Sequence, residues 1–324
     1  MLTLVLRRIL ISIPLLLVAT FIVFWMVRTT AAFDPTARLA NSRDPAAILE
    51  EKERLGLDDP IPVQYGRWLG DAVTGDLGES QAKNEEVTTM LSRAFWNTLQ
   101  LIFWGVVLAA VIAMTVGVYS AVKQYSLGDY VFTGLSYLGI AMPPFFFGLL
   151  AIAYLAAWPQ RQFDMAQPPL AFVGLHSVGE SGFNWDYVKH LVLPVLTLTV
   201  QIIASWTRFQ RASTLDVLSS DYVRTARAKG VPRRQVIVKH AVRNSLIPLV
   251  TVMAVDIGLL FGGLLVTEQI FSIPGMGRLF LTALQNGDAP VVLGYILVAG
   301  TFVIVFNLLA DVLYGVLDPR VRLS

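Results

Sequence analysis

The densest run of chemistry-bearing side chains lies between Arg208 and Arg243. Over positions 207–245 the chain places nine Lys or Arg against two Asp. A basic stretch of this kind has three physical uses. It can lie on anionic lipid, where each cation near the surface contributes about 1 kcal/mol. It can offer an amphipathic face to a groove on a partner protein. It can bind nucleic acid, but a single-strand binder needs aromatics regularly interleaved with its charges, and these charges lack them. Elsewhere titratable groups are sparse. Asp256 and Asp311 sit inside apolar runs, where a carboxylate is costly and faces a partner group or a cavity. Asp256 reads either as a polar tie between helices or as lining for a path. Asp311 reads as a tie, with an Arg of the basic stretch as the expected partner. Glu268 stands at the end of an apolar run, as an interfacial acid or part of a gate. Gly262 and Gly263 permit close helix packing or a hinge.

Other chemistries find little support. His176, His190 and His240 lack metal-ligand spacing, and no metal or cofactor is expected. Ser177 has no Gly-x-Ser-x-Gly elbow around it. The chain contains no Cys, so disulfides and thiolate sites are excluded. No Gly-x4-Gly-Lys-Ser/Thr loop is present to cradle phosphates, so the chain is expected not to be an enzyme.

These residues must be positioned by apolar elements. The 324 residues are 55% hydrophobic and 15% charged, against roughly 25% charged in soluble domains. Apolar runs long enough for a ~30 Å hydrocarbon core occur at Ile9–Val27, Thr98–Val122, Val131–Ala157, Leu191–Trp206, Leu246–Val266 and Val291–Val316. The expected fold is all-α and polytopic, with six transmembrane helices. The first run has 19 residues, beyond the 7–15 of a signal core, and reads as a retained span. Arg7, Arg8 and the nine basic residues of 207–245 flank the short loops, which places both termini in the cytoplasm. The expected organisation is a tip and first span at 1–27, an outer segment at 28–95, a five-helix core at 96–316 and a tail at 317–324.

Within the outer segment, Asp44-Pro45 reads as a helix start, Ala46–Leu55 as a short helix, and Gly56 as its stop. Pro60 and Pro62 are expected to prevent regular structure, and Gly75-Asp76-Leu77-Gly78 to form a turn. The aromatics at 145–147 read as packing around a proline kink. In the basic stretch, one helix is expected over Arg208–Lys229, extending the fourth span, with Gly230 as its C′ residue and Pro232 just beyond. A second is expected from Pro232 to about Asn244. It would gather Val236, Ile237, His240 and Ala241 on one face, opposite Arg233, Arg234 and Lys239.

The run Asp221-Tyr222-Val223-Arg224-Thr225-Ala226-Arg227-Ala228-Lys229-Gly230, with Arg243-Asn244-Ser245-Leu246-Ile247-Pro248 downstream, resembles the ATPase-coupling loop of ABC importer permeases. More narrowly, it resembles the oligopeptide/dipeptide/nickel group. Leu55-Gly56-Leu57-Asp58-Asp59-Pro60, Glu268-Gln269-Ile270-Phe271, Pro274-Gly275-Met276-Gly277-Arg278, Asp311-Val312-Leu313-Tyr314 and Leu317-Asp318-Pro319-Arg320 are similar to other parts of that group. Arg224, Thr225 and Ala226 stand where the general coupling motif has an acidic residue and two alanines. The resemblance implies the type I ABC importer permease fold, in a bacterial cytoplasmic membrane. It implies import of peptides by alternating access, with nickel chelate or haem as alternative cargo. A self-sufficient secondary transporter would favour an internal repeat, and none is visible. The implied partners are a second permease subunit, one or two cytoplasmic ABC ATPases, an extracytoplasmic peptide-binding protein and membrane lipid. Arg224, Thr225, Ala226, Arg227, Ala228, Lys229, Gly230, Val231 and Pro232 are the implied ATPase-coupling residues. Asp256, Gly262, Gly263 and Glu268 are candidates for the path or a gate.

Overall fold

The computed structural model describes residues 2–33, 52–53 and 56–317. Among them, regular structure is helical throughout, apart from one isolated β-bridge between Glu79 and Glu86. The principal helices are α1 (Leu2–Thr29), α2 (Ile61–Val73), α3 (Val87–Val122), α4 (Leu127–Ala141), α5 (Pro144–Ala151), α6 (Trp185–Ser219), α7 (Asp221–Ala228), α8 (Arg243–Gly263), α9 (Leu265–Ile270), α10 (Met276–Gln285) and α11 (Ala289–Leu317). Five stretches are long and apolar enough to cross a membrane: those containing α1, α3, α6, α8 and α11. A sixth crossing requires α4 and the run from Pro144 to Gln162 to count as one span.

Those two halves meet at 107°, so the third apolar run is a broken pair rather than one kinked helix. Met142 and Pro143 are both extended, with ψ of 122° and 142°. A residue before proline is pushed out of the helical region, and here two consecutive prolines repeat the effect. Phe145 and Phe146 point outward, about half exposed, while Phe147 packs on the core. The expected packing of all three around the kink therefore holds for one.

The most extensive contact joins α3 to α6. Its physical basis is a seam of small residues. Gly105, Ala109, Ala113 and Gly117 recur every four residues along α3 and are all buried. A Cβ on Gly105 would stand 2.5 Å from Leu198 Cδ2, and one on Gly117 would stand 2.9 Å from the Thr207 carbonyl. Small residues of this kind let helix backbones approach within a bilayer, where apolar burial gives little drive to associate. Gly258 lets α8 approach Phe306 of α11 in the same way, its Cβ position lying 3.2 Å from Phe306 Cβ. Gly262 is exposed, with no described residue within 4 Å of its Cβ position. Gly262 is therefore free of close packing, and Gly263 ends α8.

Before α3, the chain builds a small cap on one end of the bundle. Gly56 closes a helical turn as expected: it has φ +58°, its N–H reaches Glu53 O, and Leu57 N–H reaches Lys52 O. The start expected at Asp44-Pro45 and most of Ala46–Leu55 lie outside the described residues. Pro60 and Pro62 do not prevent structure. Pro60 is the N-cap of α2 and Pro62 sits in its first turn, where a missing N–H costs nothing. The turn at Gly75–Gly78 forms, with Gly78 N–H on Asp76 Oδ1 at 2.8 Å. Asp288, 2% exposed at the start of α11, then accepts from Ser80 Oγ and the N–H groups of Gln81 and Ala82. That carboxylate fastens the cap to the core.

Candidate functional site

The basic stretch differs from expectation in its helix boundaries. The extension of α6 ends at Ser219 rather than Lys229. Ser220 is extended, with ψ 153°, and opens α7. Ser219 and Ser220 both turn their hydroxyls onto local carbonyls, of Asp216 and Val217, the competition that makes serine a poor residue inside a helix. The expected second helix does not stop at Asn244. From Arg233 it passes through a π-helical stretch, Val236–Val242, and continues without a break into α8.

The end of α7 is as the sequence implied. Gly230 has φ +76°. Its N–H donates to Arg227 O at 3.0 Å, and Val231 N–H donates to Ala226 O at 3.2 Å. This pair is a Schellman closure, and it requires a left-handed residue at C′. Among the described residues nothing lies within 4 Å of the Cβ position of Gly230, so the glycine serves the backbone angle and not internal space. Arg224, Thr225, Arg227, Ala228, Lys229, Gly230 and Pro232 are exposed, while Ala226 and Val231 are half-buried. Val223 at 0% and Val236 at 1% exposure seat the hairpin on the bundle. The result is a short basic helix presented at one end of the molecule.

Beneath it, a buried polar knot joins α6 to α8. Gln210, Thr214 and Ser245 are each 0% exposed. Gln210 Nε2 donates to Thr214 Oγ1 at 3.0 Å and to Ser245 Oγ at 2.9 Å. Ser245 Oγ in turn donates to Val242 O at the end of the π-helical stretch. Gly117 of α3 packs directly on Gln210. Alongside, Arg211 of α6 grips Asp129 of α4 with two bonds of 2.9 Å. The hairpin is thus linked to α3, α4, α6 and α8 through packed or hydrogen-bonded contacts.

At the opposite end of α8, Glu268 is 0% exposed, so it is no interfacial acid. Its carboxylate accepts from Thr98 Oγ1 at 2.5 Å, from Arg278 N–H at 2.9 Å and from Gly277 N–H. Thr98 Oγ1 itself accepts from Met276 N–H at 2.8 Å. The first three N–H groups of α10 are thus all satisfied, and the carboxylate sits at a helix N-terminus that favours its charge. A Cβ on Gly275 would fall 2.2 Å from Glu268 Oε1, which explains the glycine. Burial outweighs these donors and pushes the Glu268 carboxyl up to about 7.

The other two candidate acids each bond across helices. Asp256 accepts from Trp206 Nε1 at 2.6 Å, linking α8 to α6. Asp311 pairs with Arg8 of α1 at 2.8 Å, not with an Arg of the basic stretch. His176 and His190, apart in sequence, both approach Asp186, at 4.0 and 3.5 Å. Among the described residues no group of three such side chains is placed to hold a metal. The knot was missed in the sequence because Gln210, Thr214 and Ser245 are ordinary polar residues; Gln210 and Thr214 carry a weak signal, one helical turn apart.

Residues 113–323 match the family described as binding-protein-dependent transport system inner membrane component, and residues 1–102 match the N-terminal membrane component of such systems. The chain is 39% identical to a putative peptide permease protein of Brucella ovis, over 98% of each chain. It is 37% identical to the oligopeptide transport system permease protein AppB of Bacillus subtilis, again over 98% of each. It is 37% identical to the dipeptide transport system permease protein DppB of Escherichia coli K12, over 99% of each.

Proposed function

The chain belongs to the family of binding-protein-dependent transport system inner membrane components, and on that premise we propose that it is the peptide-conducting permease subunit of an ATP-driven importer. The observation that carries the coupling role is the exposed basic helix α7, ended by the Gly230 closure and standing on the knot at Gln210. Full-length similarity to relatives named as peptide permeases supports the cargo. The chain pairs with a second permease subunit. It receives peptide from an extracytoplasmic binding protein and is driven by one or two cytoplasmic ATPases. Both termini and the hairpin at Gly230 face the cytoplasm; the cap around α2 and the end bearing α10 face outward. Residues 1–27 form the tip and first span, 28–95 the outer segment, 96–316 the transport core and 317–324 the tail.

Closure of the ATPases on ATP moves α7 as a rigid body. Val223 and Val236 pass the motion to the bundle, the knot passes it to α8, and the Asp129–Arg211 pair passes it to α4. Interfaces of this kind are bistable, so a small shift selects between two packings. Peptide crosses unaltered between the two permease subunits. Asp256 and Gly262 border the path, and α9 and α10, braced by Glu268, form its outer gate.

Affinity purification from native membranes tests this reading. The chain is expected to bring down an ATPase and a second permease. In proteoliposomes, the complex with its binding protein is expected to accumulate peptide only when ATP is supplied. Uptake by the isolated chain without ATP would overturn it.

A further inference from the structure

A cleft of about 440 Å³ opens at the end of the bundle that carries α10. Lys83 and Glu85 of the cap, Arg93 and Asn97 of α3, and Pro274 to Thr282 around the start of α10 line it. Three cations face one carboxylate there. Arg93 pairs with Glu85, and the Arg278 guanidinium donates to Ser272 O. The exposed Lys83 ammonium forms no ion pair with any described residue. The floor is stiff: Asn97 Nδ2 holds Pro274 O at 3.0 Å. Behind the floor, Glu268 is sealed from the cleft, its oxygens committed to Thr98, Gly277 and Arg278. The site is thus concave, pre-formed and two charges in excess of neutral.

We propose that this cleft receives the C-terminal carboxylate of a short peptide as it passes from the binding protein into the permease. Its volume falls within the roughly 300–1,000 Å³ of small-ligand sites. Arg and Lys are the side chains suited to a carboxylate, which they bind through charge-assisted hydrogen bonds. Lys83, unpaired among the described residues, has its full donor capacity to give. Exposed charges bind weakly, so the peptide is held briefly and released, as a transit site requires. The inference rests on the peptide-importer reading and adds where the cargo first touches this chain.

A photoreactive tripeptide with a free C-terminus, and the same tripeptide amidated, test the proposal. Each is irradiated at millimolar concentration with the permease–ATPase complex in nanodiscs, without binding protein, so that the complex alone selects. The free acid is expected to label segments 83–97 and 274–282. Labelling is expected to fall at least fivefold for the amide and for Lys83→Gln, and to return with Lys83→Arg. Equal labelling by acid and amide, or labelling elsewhere, overturns the proposal. If the complete importer transports the tripeptide while the cleft stays unlabelled, the cleft assignment fails and the importer reading stands. If the complete importer transports no peptide, the importer reading itself fails. If Lys83→Glu weakens docking of the binding protein while no peptide label appears, the cleft takes an acidic side chain of that partner and the proposal is overturned.

Discussion

Gly230 acts through its backbone angle. A side chain at φ +76° meets roughly 1–2 kcal/mol of strain unless it is Asn or Asp, whose short polar groups tolerate this region. Gly230→Val is therefore expected to deform the end of α7 while leaving membrane insertion intact, and to lower peptide moved per ATP at least fivefold. Gly230→Asn is expected to stay within twofold of the native ratio. Parallel assays of uptake and phosphate release check both variants. Glu268 offers a test by pH. Its carboxyl is raised to about 7, above the ordinary range near 4.3. The folded chain therefore holds a proton that the unfolded chain releases between about pH 4.5 and 7. Stability from this group is present below that window and declines through it, by up to about 1.4 kcal/mol per unit. Glu268→Gln is expected to flatten the pH dependence of thermal unfolding between pH 5 and 7. Parallel curves for the two proteins would remove Glu268 from that role.

At the scale of elements, the α3 seam sets how near α6 can come. Ala113 is 0% exposed, so Ala113→Leu has no room to expand. It is expected to cost about 1–3 kcal/mol by overpacking, read as a lower melting temperature in nanodiscs. The α4–α6 tie behaves differently, because it is charged. The Asp129 side chain is 4% exposed and that of Arg211 28%. Asp129→Ala strands a partly exposed guanidinium and is expected to cost about 1–3 kcal/mol. Adding Arg211→Leu is expected to recover part of that loss, since it removes the stranded charge. Denaturant unfolding of the two variants and their combination checks the sign. Apolar run length identified α3 and α6 as spans, yet the four-residue repeat at 105, 109, 113 and 117 is what fixes their spacing.

At the scale of the molecule, α1 stands apart from the other spans. About 11% of its most apolar window is buried within the chain, against 56% for α6. It meets α11 and is pinned there by Arg8 and Asp311, with side chains 58% and 25% exposed. An ion pair this open contributes under about 1 kcal/mol. Arg8→Glu is thus expected to shift melting slightly, and the swap with Asp311→Arg to restore it, in a double-mutant cycle. Composition and run length determined the helical membrane class and the order of the spans, because lipid forces backbone groups to bond within each segment. Residue chemistry marked local stops as well: Gly56 and Gly230 can take a left-handed turn without strain, and both do. The tertiary structure alone decided what the polar groups do. Asp311 found Arg8, Glu268 closed over an N-terminus ten residues on, and Gln210 met Ser245 across two helices. Those choices depend on which faces meet, and helix phase and packing distance are set by contacts between segments far apart in the chain. The same holds for the 107° break after Ala141 and for the fused helix through Val236–Val242. Proline and periodicity mark such places, but the angle and register come from the neighbours they pack against.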